Sequence, residues 1–347
     1  MSDLSPLDPL EHDEDHAAEV ALRPQRLDDF VGQAGIHEQV RVLVEAARGR
    51  GEALDHVLLY GPPGLGKTTL AQIIATEMGV QARLTSGPAL EHQGMLASIL
   101  TSLNDRDVFF IDEVHRLNHA VEEALYPAME DLAFDFVAGR GAGAQTLRLS
   151  LNRFTVIAAT TRAGALGGPL RDRFGVTFRL DYYDVGELTD IIRRSARLLK
   201  IAIDDDGAAL LASRARGTPR VANRLLRRAR DYAQVRAAGH IDVAAATAAL
   251  DMLGIDSAGL DEMDRRVIAA LCGPLRGHPV GVQTIAVSVQ EEPETIEDVV
   301  EPYLIRLGML ARTPRGRVPT ARAYQHLGLA PPPGTVGADD TQPSLFS

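Results

Sequence analysis

Cysteine occurs once in the 347 residues, at Cys272. That excludes an internal disulfide and any cysteine-cluster metal site. No apolar run is long enough to span a bilayer, and no signal-peptide pattern opens the chain, so no membrane contact and a cytoplasmic location are expected. Basic side chains are outnumbered: 36 Lys and Arg face 47 Asp and Glu, a net charge of −11. Taken alone, that balance argues against nucleic acid. Its distribution does not. Residues 1–20 carry Asp3, Asp8, Glu11, Asp13, Glu14, Asp15 and Glu19 with no Lys or Arg, whereas residues 303–338 carry Arg306, Arg312, Arg315, Arg317 and Arg322 with no Asp or Glu. An acidic tail with a local basic patch is compatible with DNA binding.

What is present is a soluble, core-forming composition, 45% hydrophobic and 24% charged, long enough for two or three compact units. Within it, Gly61-Pro-Pro-Gly-Leu-Gly-Lys-Thr-Thr69 matches G-x-x-x-x-G-K-[ST] without a gap. Glycines such as Gly64 and Gly66 let successive backbone N–H groups turn inward onto phosphate oxygens. Lys67 supplies a point charge to the β and γ phosphates, Thr68 a hydroxyl for Mg²⁺, and Thr69 continues the loop into a helix. The context fits: Val57–Tyr60 reads as a buried strand, and 70–75 as a helix whose positive end faces the phosphates. The loop is a nucleotide site, with ATP and Mg²⁺ as its expected ligands.

Residues 57–180 alternate apolar runs with helical segments, the pattern of a parallel sheet covered by helices. Val108–Ile111 runs directly into Asp112 and Glu113, the Walker B arrangement. Asp112 enters the Mg²⁺ shell and Glu113 is placed to activate water. Leu132, Phe134 and Phe136, a glycine-rich turn at 139–143, and Leu147, Leu149 and Leu151 form a hairpin. Locally, a partner contact and an ordinary surface hairpin fit it equally. A strand at 154–159 ends at Thr160-Thr161-Arg162, in the ligand crevice of such a sheet. Arg171 and Arg173 precede a strand at 176–180, and read in isolation they are solvated arginines.

From 184 to about 253 the pattern is all-helical. Leu188, Ile191, Ile192 and Leu199 suit one helix and Leu210-Leu211 another. Thr218 and Pro219 start a third, carrying Val221, Leu225, Ala229 and Tyr232, so Arg220 projects from a helix N-terminus. Residues 257–328 read as three helices and then a strand–turn–strand with Arg312, Arg315 and Arg317 at the turn, a winged helix. No base-reading Asn or Gln accompanies them, so DNA contact without sequence choice is expected, with protein binding as the other use of this fold. The expected layout is an acidic disordered tail at 1–20, a large domain at 21–183, a helical lid at 184–254, a winged-helix head at 257–330 and a flexible tail at 331–347.

These elements in this order resemble the AAA+ ATPases. Asp112-Glu-Val-His-Arg-Leu117, Leu125-Tyr-Pro-Ala-Met-Glu-Asp131, Leu170-Arg-Asp-Arg-Phe-Gly175, Arg216-Gly-Thr-Pro-Arg220 and Arg312-Thr-Pro-Arg-Gly-Arg317 resemble, within them, the RuvB family of bacterial Holliday-junction branch-migration motors. The resemblance implies an ATP-driven duplex-DNA translocase working as a homohexamer on four-way junctions. It makes Thr161 the sensor-1 residue, Arg173 an arginine finger acting in the neighbouring subunit's site, and Arg220 sensor 2. Leu22, Arg23, Tyr183 and the backbone around Glu130, Asp131 and Leu132 would hold the adenine side. Arg312 and Arg317 would contact DNA phosphates, and the 132–151 hairpin would grip the junction-binding partner RuvA, with the RuvC resolvase in the larger complex. One departure is Glu292-Pro293-Glu294, where the family often has a DNA-contacting arginine. The final Gln342-Pro-Ser-Leu-Phe346 resembles a sliding-clamp peptide, a likeness that five residues reach readily by chance. A clamp-loader-type ATPase shares the fold and a trans arginine, and a nucleotide-binding winged-helix regulator shares the pieces. The winged head argues against the first, and Asp112, Glu113 and Arg173 against the second.

Overall fold

The computed structural model describes Leu7 and residues 19–138 and 145–337. The chain divides into two compact units, one comprising 12–191 with Thr218–Arg220, the other 192–217 and 221–347 with the first eleven residues. The glycine-rich hairpin turn and the Gln342–Phe346 peptide lie outside the described residues.

The first unit is built on a five-stranded sheet in the order β2-β3-β6-β1-β7, with β1 at Val57–Tyr60, β2 at Ala82–Ser86, β3 at Val108–Asp112, β6 at Thr155–Thr160 and β7 at Val176–Arg179. Every pairing is parallel, as continuous apolar strands buried on both faces require. Pleat alternation divides the side chains between the faces. Leu58, Phe109, Ile111, Val156 and Ala158 share a core with Leu96 and Leu100 of the helix Gln93–Ser102 and Val121 and Leu125 of the helix His119–Asp131. The helix Lys67–Met78 packs on β2, β3 and β6 and on the helix Ala34–Arg50, which buries Ile36, Val40, Val44 and Ala47.

Strand β6 lies between β1 and β3, and this order positions the chemistry. Tyr60 pairs with Thr160 and Ile111 with Ala158. The loop after β1, the acids after β3 and the threonines after β6 therefore leave the same edge of the sheet side by side. β2 carries no strand signal in the sequence: it is an edge strand whose Arg83 and Leu84 face solvent, so the apolar run that marks its neighbours is missing. The hairpin forms as read, β4 at Ala133–Ala138 antiparallel to β5 at Gln145–Ser150, with Phe134 opposite Leu149 and Phe136 opposite Leu147. Residues 19–22, partly within the stretch expected to be disordered, make a helical turn in which the Arg23 N–H donates to the Glu19 carbonyl at 3.1 Å.

The second unit holds the helices Asp205–Arg214 and Val243–Met252 and, from Val221 onward, the helix Pro219–Arg236, with a two-residue parallel pair, β8 at Ala202–Ile203 and β9 at His240–Ile241. Pro219–Arg236 buries Val221, Leu225, Ala229 and Ala233, the last in place of Tyr232, the residue that the spacing favours. Next come the helix Glu262–Cys272, opened by an Asp261–Asp264 capping box, and the helix Val282–Val289. A third helix spans Pro293–Thr295 to Glu301–Arg306 through a π-helical turn at Ile296–Val300. β10 at Leu310–Thr313 and β11 at Gly316–Pro319 then form an antiparallel ribbon. Val280 bridges to Arg317 and adds a third edge to the wing. The fold is thus a P-loop α/β domain followed by a lid, helical but for the short β8–β9 pair, and a winged helix.

Candidate active site

The loop after β1 needs its glycines for space as well as for conformation. Gly61 has φ +145°, and a Cβ there would lie 2.3 Å from the Leu180 carbonyl oxygen. Gly66 has φ +96°, with the Phe30 ring 3.2 Å from the place of a Cβ. Lys67 opens the following helix, is buried, and donates from Nζ to the carbonyls of Gly61 and Pro62, both at 2.8 Å. Burial pushes its pKa down to about 8, against the pull of Asp112 and Glu113, with Arg220 adding to the depression. A buried ammonium held near neutrality by desolvation is a strong electrostatic partner for a polyanion.

Thr68 Oγ1 donates to Asp112 Oδ2 at 3.2 Å. One hydroxyl and one carboxylate suit Mg²⁺, which takes one or two protein oxygens and completes its shell with water and substrate phosphates. No group of three or more His, Cys, Asp or Glu able to hold a metal occurs among the described residues. Glu113 sits in a left-handed backbone conformation, φ +47°. Its N–H donates to Asp112 Oδ1 at 2.9 Å, and its carboxylate meets Arg116 at 2.9 Å. Gly87, unmarked by sequence reasoning, supports this strand end: its N–H donates to the Asp112 carbonyl at 2.7 Å, and a Cβ would lie 2.5 Å from the Glu113 carbonyl oxygen. Nothing in the local sequence marks it, because the strand that it follows is itself unmarked.

The paired threonines separate in role. Thr160 is fully buried and its hydroxyl meets His115 Nδ1 at 2.9 Å, while Thr161 is exposed at the next position. His115, too, was not singled out from sequence. Thr69 and Leu22 are buried. Tyr183 is buried, donates to the Leu65 carbonyl at 3.3 Å, and lies against Gly32, where a Cβ would come within 2.7 Å of its ring. Arg23 follows the 19–22 turn. Arg220 belongs to this unit: its N–H donates to the Gly64 carbonyl at 3.4 Å and its Nε to Glu19 at 3.1 Å.

Arg173 is held by the helix His119–Asp131 and the turn before it. Its guanidinium lies 4.2 Å from the centre of the Tyr126 ring, pairs with Glu130 at 3.1 Å and donates to the Pro169 carbonyl at 2.5 Å. Tyr126 in turn donates to Glu122 at 2.6 Å. The named contact of Glu130 is therefore Arg173, and Asp131 pairs with Arg148 of the hairpin at 3.0 Å. Leu132 ends the helix with φ +51°.

On the wing, Arg312 and Arg317 pair across the ribbon. Like charges directly opposite repel, and the fully buried Glu301 carboxylate lies between them, accepting from both. Arg317 also pairs with Glu297 at 2.8 Å. The Arg312 side chain stays 58% exposed against 17% for Arg317, and only the former presents much of its charge to solvent. Arg315 is exposed at the turn. Pro293, in the departure noted above, opens the third helix between exposed Glu292 and Glu294.

A P-loop and a Walker B pair with a third strand inserted between them, followed by a helical lid and a winged helix, define a P-loop protein of the AAA+ class. Family models match along nearly the whole folded chain: the Holliday junction DNA helicase RuvB P-loop domain over residues 22–180, the RuvB AAA lid domain over 183–256 and the RuvB C-terminal winged helix domain over 257–328. Among solved structures, the Thermotoga maritima RuvB Holliday junction branch migration motor is 48% identical, with 90% of this chain and 100% of that one covered at a TM-score of 0.82. A threonine-to-valine variant of the same Thermotoga protein is 47% identical over 90% of this chain and 100% of its own, TM-score 0.82. The chain belongs to the RuvB family of Holliday-junction branch-migration motors.

Proposed function

We propose that this chain hydrolyses ATP to translocate duplex DNA, driving branch migration of four-way junctions as a homohexameric ring docked on RuvA. The observation that carries the reading is the side-by-side exit of the Lys67 loop, Asp112–Glu113 and Thr161 from one edge of a parallel sheet, in a chain that also bears a winged helix.

In this reading Lys67 binds the β and γ phosphates. Thr68 and Asp112 hold Mg²⁺, which neutralises phosphate charge when bound. Glu113 takes the proton of the attacking water, and Thr161 and Arg220 contact the terminal phosphate. Arg173 serves the site of the next copy, where a trans arginine typically contributes about 10³–10⁵ in rate. Leu22, Arg23 and Tyr183 form the adenine side. The backbone around Glu130, Asp131 and Leu132 belongs to that adenine side in this reading, and the Glu130 carboxylate also pairs with Arg173 at 3.1 Å. Arg312, Arg317 and the wing contact phosphates, the 132–151 hairpin contacts RuvA, and RuvC joins the assembled complex.

The test is ATP-dependent dissociation of a synthetic four-way junction with and without RuvA. Dissociation that needs both ATP and RuvA is expected. A preparation that hydrolyses ATP yet leaves the junction intact with RuvA present would overturn the reading.

A further inference from the structure

We propose that Glu19 sets the relative affinity of the site for ATP and ADP: its carboxylate competes with the terminal phosphate of ATP for Arg220. The proposal rests on the reading of Arg220 as a phosphate contact and adds a residue to it.

Glu19 sits in the helical turn that leads to Leu22 and Arg23. Its Oε2 accepts from Arg220 Nε at 3.1 Å, with side-chain exposures of 8% for the acid and 17% for the arginine. The other carboxylate oxygen, Oε1, is buried and has no hydrogen-bond partner among the described residues. Arg220 lies close enough to Lys67 for its charge to depress the lysine's pKa, and its backbone is hydrogen-bonded to the phosphate loop at Gly64. A buried carboxylate thus stands beside the arginine that the reading reserves for the terminal phosphate.

An ion pair serving only to fasten the N-terminal turn would be expected to satisfy both oxygens, because a half-satisfied buried carboxylate is costly. A counter-ion meant to be displaced has no such requirement. A terminal phosphate brings more negative charge and three acceptor oxygens, so it outcompetes a carboxylate for a guanidinium. The two anions repel at close range, and Glu19 must leave Arg220 when that phosphate arrives. ADP has no such group and leaves the pair intact. The consequence is asymmetric: Glu19 penalises ATP and spares ADP. Because the same turn continues into Leu22 and Arg23, the exchange also reports the state of the terminal phosphate to the adenine side.

The experiment measures equilibrium binding of Mg²⁺ complexes of a non-hydrolysable ATP analogue and of ADP to the full-length chain. The proteins compared are the wild type, Glu19→Gln, Arg220→Ala and the double variant. Glu19→Gln keeps the shape of the side chain and removes its charge. It is expected to tighten the ATP analogue by about tenfold, the scale of one partly screened charge contact, and to change ADP by less than about twofold. In the Arg220→Ala background the same substitution should do nothing. Equal effects on the two nucleotides, weaker binding of the ATP analogue, or tightening that persists without Arg220 would each overturn the proposal while leaving the ATPase reading intact. Absence of binding to either nucleotide in the wild type would overturn both.

Discussion

Arg216 and Asp264 form an ion pair with side-chain exposures of 5% and 0%, joining the segment ahead of the helix Pro219–Arg236 to the first helix of the winged domain. Asp261 adds a second carboxylate at 3.3 Å, and the guanidinium lies 4.7 Å from the centre of the Tyr303 ring. Arg306 donates to the Arg216 carbonyl at 3.0 Å. With two carboxylates against one guanidinium, burial and the neighbouring Asp261 push Asp264 up to about 7 despite Arg216. Lid and head are thereby fastened within one unit.

Removing one member of such a pair strands a buried charge, which costs about 3–5 kcal/mol. Arg216→Met should lower stability by that order in chemical denaturation, and adding Asp264→Asn, which removes the charge but keeps an acceptor for the Asp261 N–H, should recover part of the loss. Strictly additive effects of the two substitutions would show that the pair does not act as a unit.

The depressed pKa of Lys67 gives the site a pH signature. A polyphosphate favours the ammonium form and raises the pKa again, so nucleotide binding near pH 8 takes up roughly half a proton, and affinity falls as pH rises through 8. Calorimetry in two buffers of different ionisation enthalpy measures the uptake. Lys67→Arg, always charged, should abolish it; equal uptake in both proteins would assign the proton to another group.

Arg173→Ala is expected to keep ATP binding and reduce hydrolysis by about 10³ or more. Mixing it with Lys67→Ala subunits should restore part of the activity, since each variant retains the half-site that the other lacks. A mixture no more active than its components would argue against action in trans.

Gly87→Ala puts a methyl group against the Glu113 carbonyl. Because the clash is with backbone, the strand end must shift, and the expected result is hydrolysis reduced by tenfold or more with ATP affinity within about twofold, as a misplacement of about 1 Å can cost about 10²-fold. Unchanged turnover would show that the Walker B end tolerates displacement.

The two wing arginines should behave differently. Arg312→Ala is expected to weaken duplex binding and reduce its salt slope by about 1, with a smaller loss of stability than Arg317→Ala because Arg317 still pairs with Glu301. Arg317→Ala removes a partner from a fully buried Glu301 and should lower the melting temperature of the protein as well. Identical profiles for the two variants would reject this division.

Much of the site was legible because its chemistry is written contiguously. The 61–69 loop and the 108–113 strand with its acids each fall within ten residues, and the apolar runs of β1, β3 and β6 announce a parallel sheet. What stayed hidden depends on contacts between residues far apart in the chain. Glu19 and Arg220 are 201 positions apart, and nothing around the glutamate distinguishes it from the acids that precede it. Glu301 reads as an ordinary helix residue until the ribbon places two arginines on it. The β2 edge strand was missed because its side chains meet water, and the π turn at Ile296–Val300 because its apolar spacing also suits an α-helix.

The wing arginines bear on speed as well as binding. Arg312 and Arg317 share Glu301, and Glu297 takes up more of the second, leaving this corner of the wing close to electrically balanced. In the proposed reading, a DNA phosphate reaching Arg312 would meet a cation already partly satisfied, so it would be held lightly and let go quickly. For a motor that must pass along DNA, low friction at each contact is worth more than a firm hold.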